Sequence, residues 1–321
     1  MKSGAAILIV LAALLPVPWL VHSDFWLNFA VLALYYGFLG QSWNILGGFG
    51  GQFSFGHAAF FGTGAYAAAV LQLRFGVNPW LALVLAGVAG AAMGAIVGAL
   101  SFRYGLRGSY FALVTLAFAE VLRILADSLG FTGAGVGLQI PLHQSAANFQ
   151  FATKTGFYFT ILGLTALGLG VVWAIEHSRF GARLAAVRDS EEAAQALGVD
   201  VFRTKLIAIT LSAALMALGG TFYLQYFLFI DPDIAFGPQV SIAALLAPIV
   251  GGLGTLFGPL LGAVALQLLN EISESAIGSA PGLNLVLYGV ILILIIAFLP
   301  EGIFGLARLR TRLRGVMRRP A

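Results

Sequence analysis

Glu192-Ala193-Ala194, followed after three residues by Gly198, stands in the most heavily charged stretch of an otherwise oily chain. Between Glu176 and Lys205 the acidic residues Glu176, Asp189, Glu191, Glu192 and Asp200 mix with Arg179, Arg183, Arg188, Arg203 and Lys205. Hydrocarbon cannot solvate that density of charge, so water or another protein must. The chemistry on offer is docking. Asp189 can cap a helix, and Glu192 three residues on completes a capping-box pattern. Glu191 and Glu192 then fall in the first turn, where the helix dipole favours negative charge, and Gly198 is placed to end the helix. The pattern predicts a stub of about two turns, roughly 12 Å long. Ala193, Ala194 and Leu197 give it a small apolar face suited to a groove on a partner, with Arg188 beside it. A solvated connector is the competing reading.

A second group of polar residues lies in or beside apolar runs, where such groups are functional candidates: Gln41, Asn44, Gln52, Ser54, His57, Thr115, Glu120 and Gln267. Each has a plainer role in bonding one helix to another. The hydroxyls of Ser54 and Thr115 can bond back to their own helix, Glu120 and Arg123 can pair at i and i+3, and His57 suits packing or a hinge. Gly47-Gly48-Phe49-Gly50-Gly51 holds four glycines in five residues, each costing a helix about 1 kcal/mol. A non-helical joint is expected there, shielded from lipid, with backbone groups that can touch a passing solute. Asn44, Gly50, Gly51, Gln52, Ser54, His57, Thr115 and Glu120 are therefore the candidates for a translocation path.

Catalysis finds no footing. No nucleophile–base pair stands out, cysteine is absent, and the four histidines (His22, His57, His143, His177) are never three or four residues apart, so no catalytic residue, metal site or cofactor is expected. No G-x-x-x-x-G-K-[ST] loop is present, so the chain is not expected to hydrolyse ATP itself.

These residues must be positioned by membrane helices. The chain is 60% hydrophobic and 9% charged, with mean hydropathy +0.96, whereas soluble domains carry about 25% charged residues. An all-α polytopic membrane protein follows, a single transmembrane domain over residues 1–321. Apolar runs long enough to span fall at roughly 5–22, 26–46, 55–73, 79–100, 109–129, 156–175, 206–228, 238–252, 258–275 and 283–300. That is about ten transmembrane helices, the eighth short enough to be a broken or re-entrant segment. With 176–205 placed in the cytoplasm, fourteen of the seventeen Lys and Arg lie inside and only Arg74 and Lys154 outside. The N and C termini are then both cytoplasmic. The basic tail 301–321 suits lipid headgroups, and the net charge of +4 needs no nucleic acid to explain it. The first span is read as retained, although Val21-His22-Ser23 would also suit a cleavage site. The longest external connection, about 130–155, has three alternating glycines at Gly133, Gly135 and Gly137 that argue against a regular helix.

The lettering adds a resemblance. Glu192-Ala193-Ala194-x-x-x-Gly198 resembles the EAA coupling motif of ABC-importer permeases. The string RFGARLAAVRDSEEAAQALGVDVFRTKL looks like the branched-chain amino-acid permease family, in its M-type subunit. GGFGGQFSFGHAAFFGTGAYAA from Gly47, the run Arg107–Glu120 and the run Pro248–Pro259 resemble further family strings in the same order. The resemblance implies a bacterial inner-membrane importer subunit for branched-chain or other hydrophobic amino acids, with urea or short amides as relatives' substrates. It also implies a second homologous permease, two cytoplasmic ATPase subunits and a periplasmic substrate-binding protein. In that family the segment Arg188, Asp189, Glu191, Glu192, Ala193, Ala194, Leu197, Gly198 would dock on the ATPase. An ion-coupled secondary transporter or channel is the alternative; it needs a coupling carboxylate in mid-membrane, and only Glu120 comes near.

Overall fold

The computed structural model describes residues 2–21 and 23–277, together with 286, 289, 290, 293 and 302–304. Apart from those few positions, the expected tenth span at 283–300 and the basic tail 301–321 lie outside the described residues, as does His22.

Helix follows helix. α1 (Lys2–Leu14) and α2 (Val17–Leu20) lead into α3 (Asp24–Asn44), which passes without a break into a π-helical turn, Ile45–Phe49. Extended chain then reaches α4 (His57–Phe75), α5 (Pro79–Arg103) and α6 (Gly108–Ser128). The connection after α6 carries short 3-10 turns and β1 (Leu138–Gln139) before α7 (Lys154–Glu176). α8 (Arg179–Asp189), α9 (Glu191–Ala196) and α10 (Val201–Phe227) come next. β2 (Phe229–Ile230), α11 (Pro232–Phe236), α12 (Pro238–Gly251) and α13 (Gly258–Ile277) complete the described chain.

The ends are set by local chemistry. Asn78 caps α5 by accepting from the Trp80 amide at 2.9 Å, with Pro79 at the first position, where a missing N–H is harmless. Asp200 caps α10 through the Arg203 amide at 2.9 Å, and Asp231 caps α11 through the Ile234 amide at 2.7 Å, each satisfying one orphan donor. α11 and α12 are one 20-residue apolar stretch interrupted at Gly237, which adopts an extended conformation. α12 itself runs unbroken from Pro238 to Gly251, so the interruption falls just before the expected eighth span at 238–252 and not within it.

Five stretches are long and apolar enough to cross a membrane by length and composition: Pro79–Arg103, Gly108–Ser128, Lys154–Glu176, Val201–Phe227 and Pro232–Gly251. α3, α4 and α13 are about as long, at 21, 19 and 20 residues. The chain is a helical, multi-pass membrane protein. α10 is its spine, packed against α5, α4 and α3. The α5–α10 seam is made close by Gly87, Gly90, Gly94 and Gly98, where added Cβ atoms would meet α10 at 2.2–3.0 Å. Between helices in lipid, small residues allow this approach and dispersion supplies the attraction.

The bundle has two distinct ends. At one, β1 pairs antiparallel with β2, Leu138 opposite Ile230, and Lys154 reaches the Asp24 carbonyl at 3.2 Å. The glycine-rich part of this connection is irregular, as its pattern implies, with Gly133 and Gly137 at φ +82° and +79°. The other end gathers the π turn, the α5–α6 connection, α8, α9 and the turn between α12 and α13.

Candidate functional site

The charged stretch folds as an elbow of two helices. Ser178 opens α8 by accepting from the Gly181 amide at 3.1 Å. α8 runs through Asp189, so Asp189 does not cap the next helix as its type suggests. Its carboxylate accepts from Arg188 Nε at 3.2 Å instead. The chain becomes extended one residue later, at Ser190 (φ −161°), and Ser190 Oγ accepts from the Ala193 amide at 3.3 Å. α9 is thus capped by serine. It stops where expected: Gly198 has φ +83°, and Val199 N donates back to the Ala194 carbonyl at 3.0 Å, a glycine C-terminal closure.

The small face splits in two. Ala194 is 2% exposed and packs into its own chain, whereas Leu197 is 83% exposed, with Ala193, Gln195 and Ala196 also facing out. The expected outward face of Ala193, Ala194 and Leu197 is therefore reduced to Ala193, Ala196 and Leu197. The orientation is imposed by charge. Glu191, whose side chain is 14% exposed, pairs with Lys205 of α10, 3% exposed, and accepts from Arg107 Nε at 2.9 Å. Gln52 Nε2 approaches the same carboxylate at 3.4 Å. The Lys205 ammonium also lies 5.3 Å from the centre of the Phe102 ring, a cation–π distance. Glu192 stays in the open, 3.6 Å from Arg107. Arg107 and Lys205 are participants the sequence showed only as positive charge. The available signal was a lysine opening an apolar helix, where a charge needs a partner.

α8 grips the glycine-rich joint. Arg188 Nη1 lies 3.5 Å from the Gly48 carbonyl, and its stem crosses Gly51. The joint itself departs from expectation. Ile45–Phe49 remains helical in the wider π form, and unwinding begins only around Gly50 and Gly51, the latter at φ +65°. Gln52 N donates to the Leu46 carbonyl at 3.0 Å as the chain leaves the turn. A π turn of this kind commonly marks a functional position. Leucine at Gly51 would bear backbone strain and meet Arg188 Cγ at 2.6 Å. Gly105→Leu is the control, at φ +68° with open space. Backbone strain is common to both, so Gly51→Leu is expected to melt lower than Gly105→Leu in detergent by the overpacking against Arg188, about 1–3 kcal/mol. Equal melting would mean that the Arg188 contact carries nothing.

Beside the joint, the polar candidates are buried and engaged. Asn44 Nδ2 donates to the Thr255 carbonyl at 3.0 Å, and its Oδ1 accepts from Gly254 N at 2.9 Å. Gln41 Nε2 donates to the Leu256 carbonyl at 3.0 Å. These two amides hold the turn between α12 and α13. His57, the first residue of α4, bridges Ser54 Oγ at 3.1 Å and Ser212 Oγ at 2.8 Å, and Ser212 donates to the Ser42 carbonyl at 2.6 Å. Ser54 lies on extended chain, so it does not bond back along a helix; Thr115 does, to Ala112 at 2.8 Å. Glu120 stands apart on the exposed face of α6. It pairs with Arg123 at 2.7 Å as its spacing implies, and Arg123 also reaches Asp233 of α11 at 2.8 Å, a partner no local pattern announces.

The arrangement is a charged two-helix elbow held against a π turn, beside a packed polar core. Residues 25–296 match the family described as the branched-chain amino acid transport system / permease component. The chain belongs to this family. It is 28% identical to the high-affinity branched-chain amino acid transport system permease protein LivM of Escherichia coli strain K12 and to that of Salmonella typhimurium, over 89% of this chain and 72% of each relative. It is 29% identical to the probable branched-chain amino acid transport permease protein LivH of Methanocaldococcus jannaschii, over 76% of this chain and 80% of that protein. As a member of this permease family the chain is a transport component and not an enzyme.

Proposed function

We propose that the chain is the permease subunit of an ATP-driven importer for branched-chain or other hydrophobic amino acids, in a bacterial inner membrane. Urea or short amides remain within the family's reach. In this reading residues 1–321 form one transmembrane domain of ten spans with both termini cytoplasmic, and 301–321 is a basic tail on lipid headgroups. Residues 176–205 are the coupling loop. A second homologous permease, two cytoplasmic ATPases and a periplasmic binding protein complete the machine.

The observation that carries the reading is the posture of α9. Glu191 is locked inward by Lys205 and Arg107, so Leu197 is held outward in water at the end of the bundle. Together with exposed Ala193 and Ala196 it leaves a small apolar face on a charged helix beyond the apolar spans, the kind of face that fits a groove on a partner. A push on α9 travels through the elbow to Arg188, from there to Gly48, and through Asn44 to the α12–α13 turn. The ATPase thus has a rigid handle on the π turn, and that turn is the element that would switch the cavity between outward and inward access.

Leu197→Asp tests this without touching the chain's own packing. Membrane abundance should stay normal, while copurified ATPase and amino-acid uptake both fall at least about tenfold, the loss of one buried leucine contact being worth about 1.5–3 kcal/mol. Unchanged association and uptake would reduce the loop to a connector and favour a transporter that works without an ATPase.

A further inference from the structure

Away from α9, towards the β-ribbon end, the bundle holds a cavity of about 360 Å³ between α3, α4, α10, α11 and α12. This lies at the small end of the range for small-molecule sites, about 300–1,000 Å³. One wall is apolar: Leu39, Phe61 and Val240, with the rings of Tyr35, Tyr36 and Tyr223. Asp233 and Gln239 supply the polar part. None of the path candidates Asn44, Gly50, Gly51, Gln52, Ser54, His57, Thr115 or Glu120 lines this cavity.

The charge balance at its edge is uneven. Arg123 donates to both oxygens of Glu120, at 2.7 and 3.0 Å, and to Asp233 Oδ1 at 2.8 Å. Two carboxylates share one guanidinium, so one negative charge is left over, and Asp233 Oδ2 has no hydrogen-bond partner among the described residues. The same holds for the hydroxyls of Tyr35, Tyr36 and Tyr223 and for the side-chain amide of Gln239. The cavity therefore offers a carboxylate oxygen, several neutral donors and an aliphatic slot. A second cavity of about 310 Å³ shares Tyr36 and Ala243 with the first and continues along α13 past Gln267.

We propose that this cavity is a station on the path for a zwitterionic amino acid, a proposal that rests on the transport reading above. Asp233 takes the ammonium, Gln239 and the tyrosine hydroxyls take the carboxylate, and the branched side chain fills the slot of Leu39, Phe61 and Val240. The ammonium meets one carboxylate, 82% exposed at the open rim, and the carboxylate meets only neutral donors beside a mostly apolar wall, an arrangement for passage and not for tight capture. The adjoining cavity is the next step along the track.

Val240→Phe narrows the slot and leaves the ion pairs alone. The complete importer, with its partner subunits, would be reconstituted in vesicles and its uptake of alanine, valine and leucine compared. The expected penalty grows with side-chain size, small for alanine and about tenfold or more for leucine, as a methylene in an apolar pocket commands. Asp233→Asn should lower uptake of all three alike, with partial rescue by Asp233→Glu. Membrane abundance and ATPase association are measured for every variant, and Ala243→Phe serves as the second slot variant should Val240→Phe fail to accumulate. A penalty absent or independent of side-chain size overturns the station while leaving the transport reading intact. Wild-type vesicles that take up none of the three amino acids overturn the transport reading, and the station with it.

Discussion

Glu191→Ala should destabilise the folded chain by about 3–5 kcal/mol, because it strands a buried ammonium. Lys205 is buried at the foot of α10, and without Glu191 its remaining neighbours are the Phe102 ring and the like charge of Arg107. Lys205→Met should cost less, since Glu191 keeps Arg107 at 2.9 Å and stays near water. The double variant Glu191→Leu/Lys205→Met should recover most of the loss, since an apolar pair of similar volume often replaces a buried ion pair without penalty. Its uptake should nevertheless stay low, because α9 would no longer be pinned with Leu197 facing out. Thermal melting in detergent and a double-mutant cycle separate these contributions. Additive losses, with no recovery in the double variant, would show that the two residues do not act as a pair.

Gly262→Ala is the second large effect. A Cβ there would lie 1.8 Å from the Ala247 carbonyl oxygen, and one at Gly251 would lie 1.7 Å from the Gly258 carbonyl. α12 and α13 touch backbone to backbone, so neither can yield by turning a side chain. Overpacking a core costs about 1–3 kcal/mol when side chains can adjust, and here the cost should be at the top of that range or above it. The helices would part, and the turn held by Gln41 and Asn44 would move with them. Gly163→Ala on α7, which meets nothing within 4 Å, should instead be neutral or slightly stabilising, alanine being the better helix former. Melting temperatures of the two variants give the comparison; a Gly262→Ala protein that melts like Gly163→Ala would refute the close approach.

Much of this was legible locally. The density of charge in 176–205, the stop at Gly198, the pairing of Glu120 with Arg123 and the irregular chain around Gly133–Gly137 all depend on neighbours in sequence. What escaped depended on distant ones. Ser190 caps α9 in place of Asp189 because α8 persists one residue longer than the lettering suggests. Ala194 turns inward because Lys205, on another helix, draws Glu191 down. Asn44, Ser54 and His57 are polar residues among apolar ones, and sequence could not tell a path from a bolt. Asn44 and His57 bond Thr255 and Ser212, more than 150 positions away, links that no local pattern announces. The cavity lined by Tyr35 and Asp233 had no signal, since its walls come from five helices.

The π turn at Ile45–Phe49 has a bearing on chain length. Glycine-rich segments look like places where insertions and deletions accumulate harmlessly. A π turn holds one residue more than the α turn it replaces. Deleting any one residue there would convert the turn to α and rotate α3 by about 100° against everything downstream. Gln41 and Asn44 would then face away from Leu256 and Thr255, or Gly48 away from Arg188. The residue count between Asn44 and Gly51 is thus as tightly fixed as any side chain in the core, and variation in length among functional descendants of this sequence should avoid it.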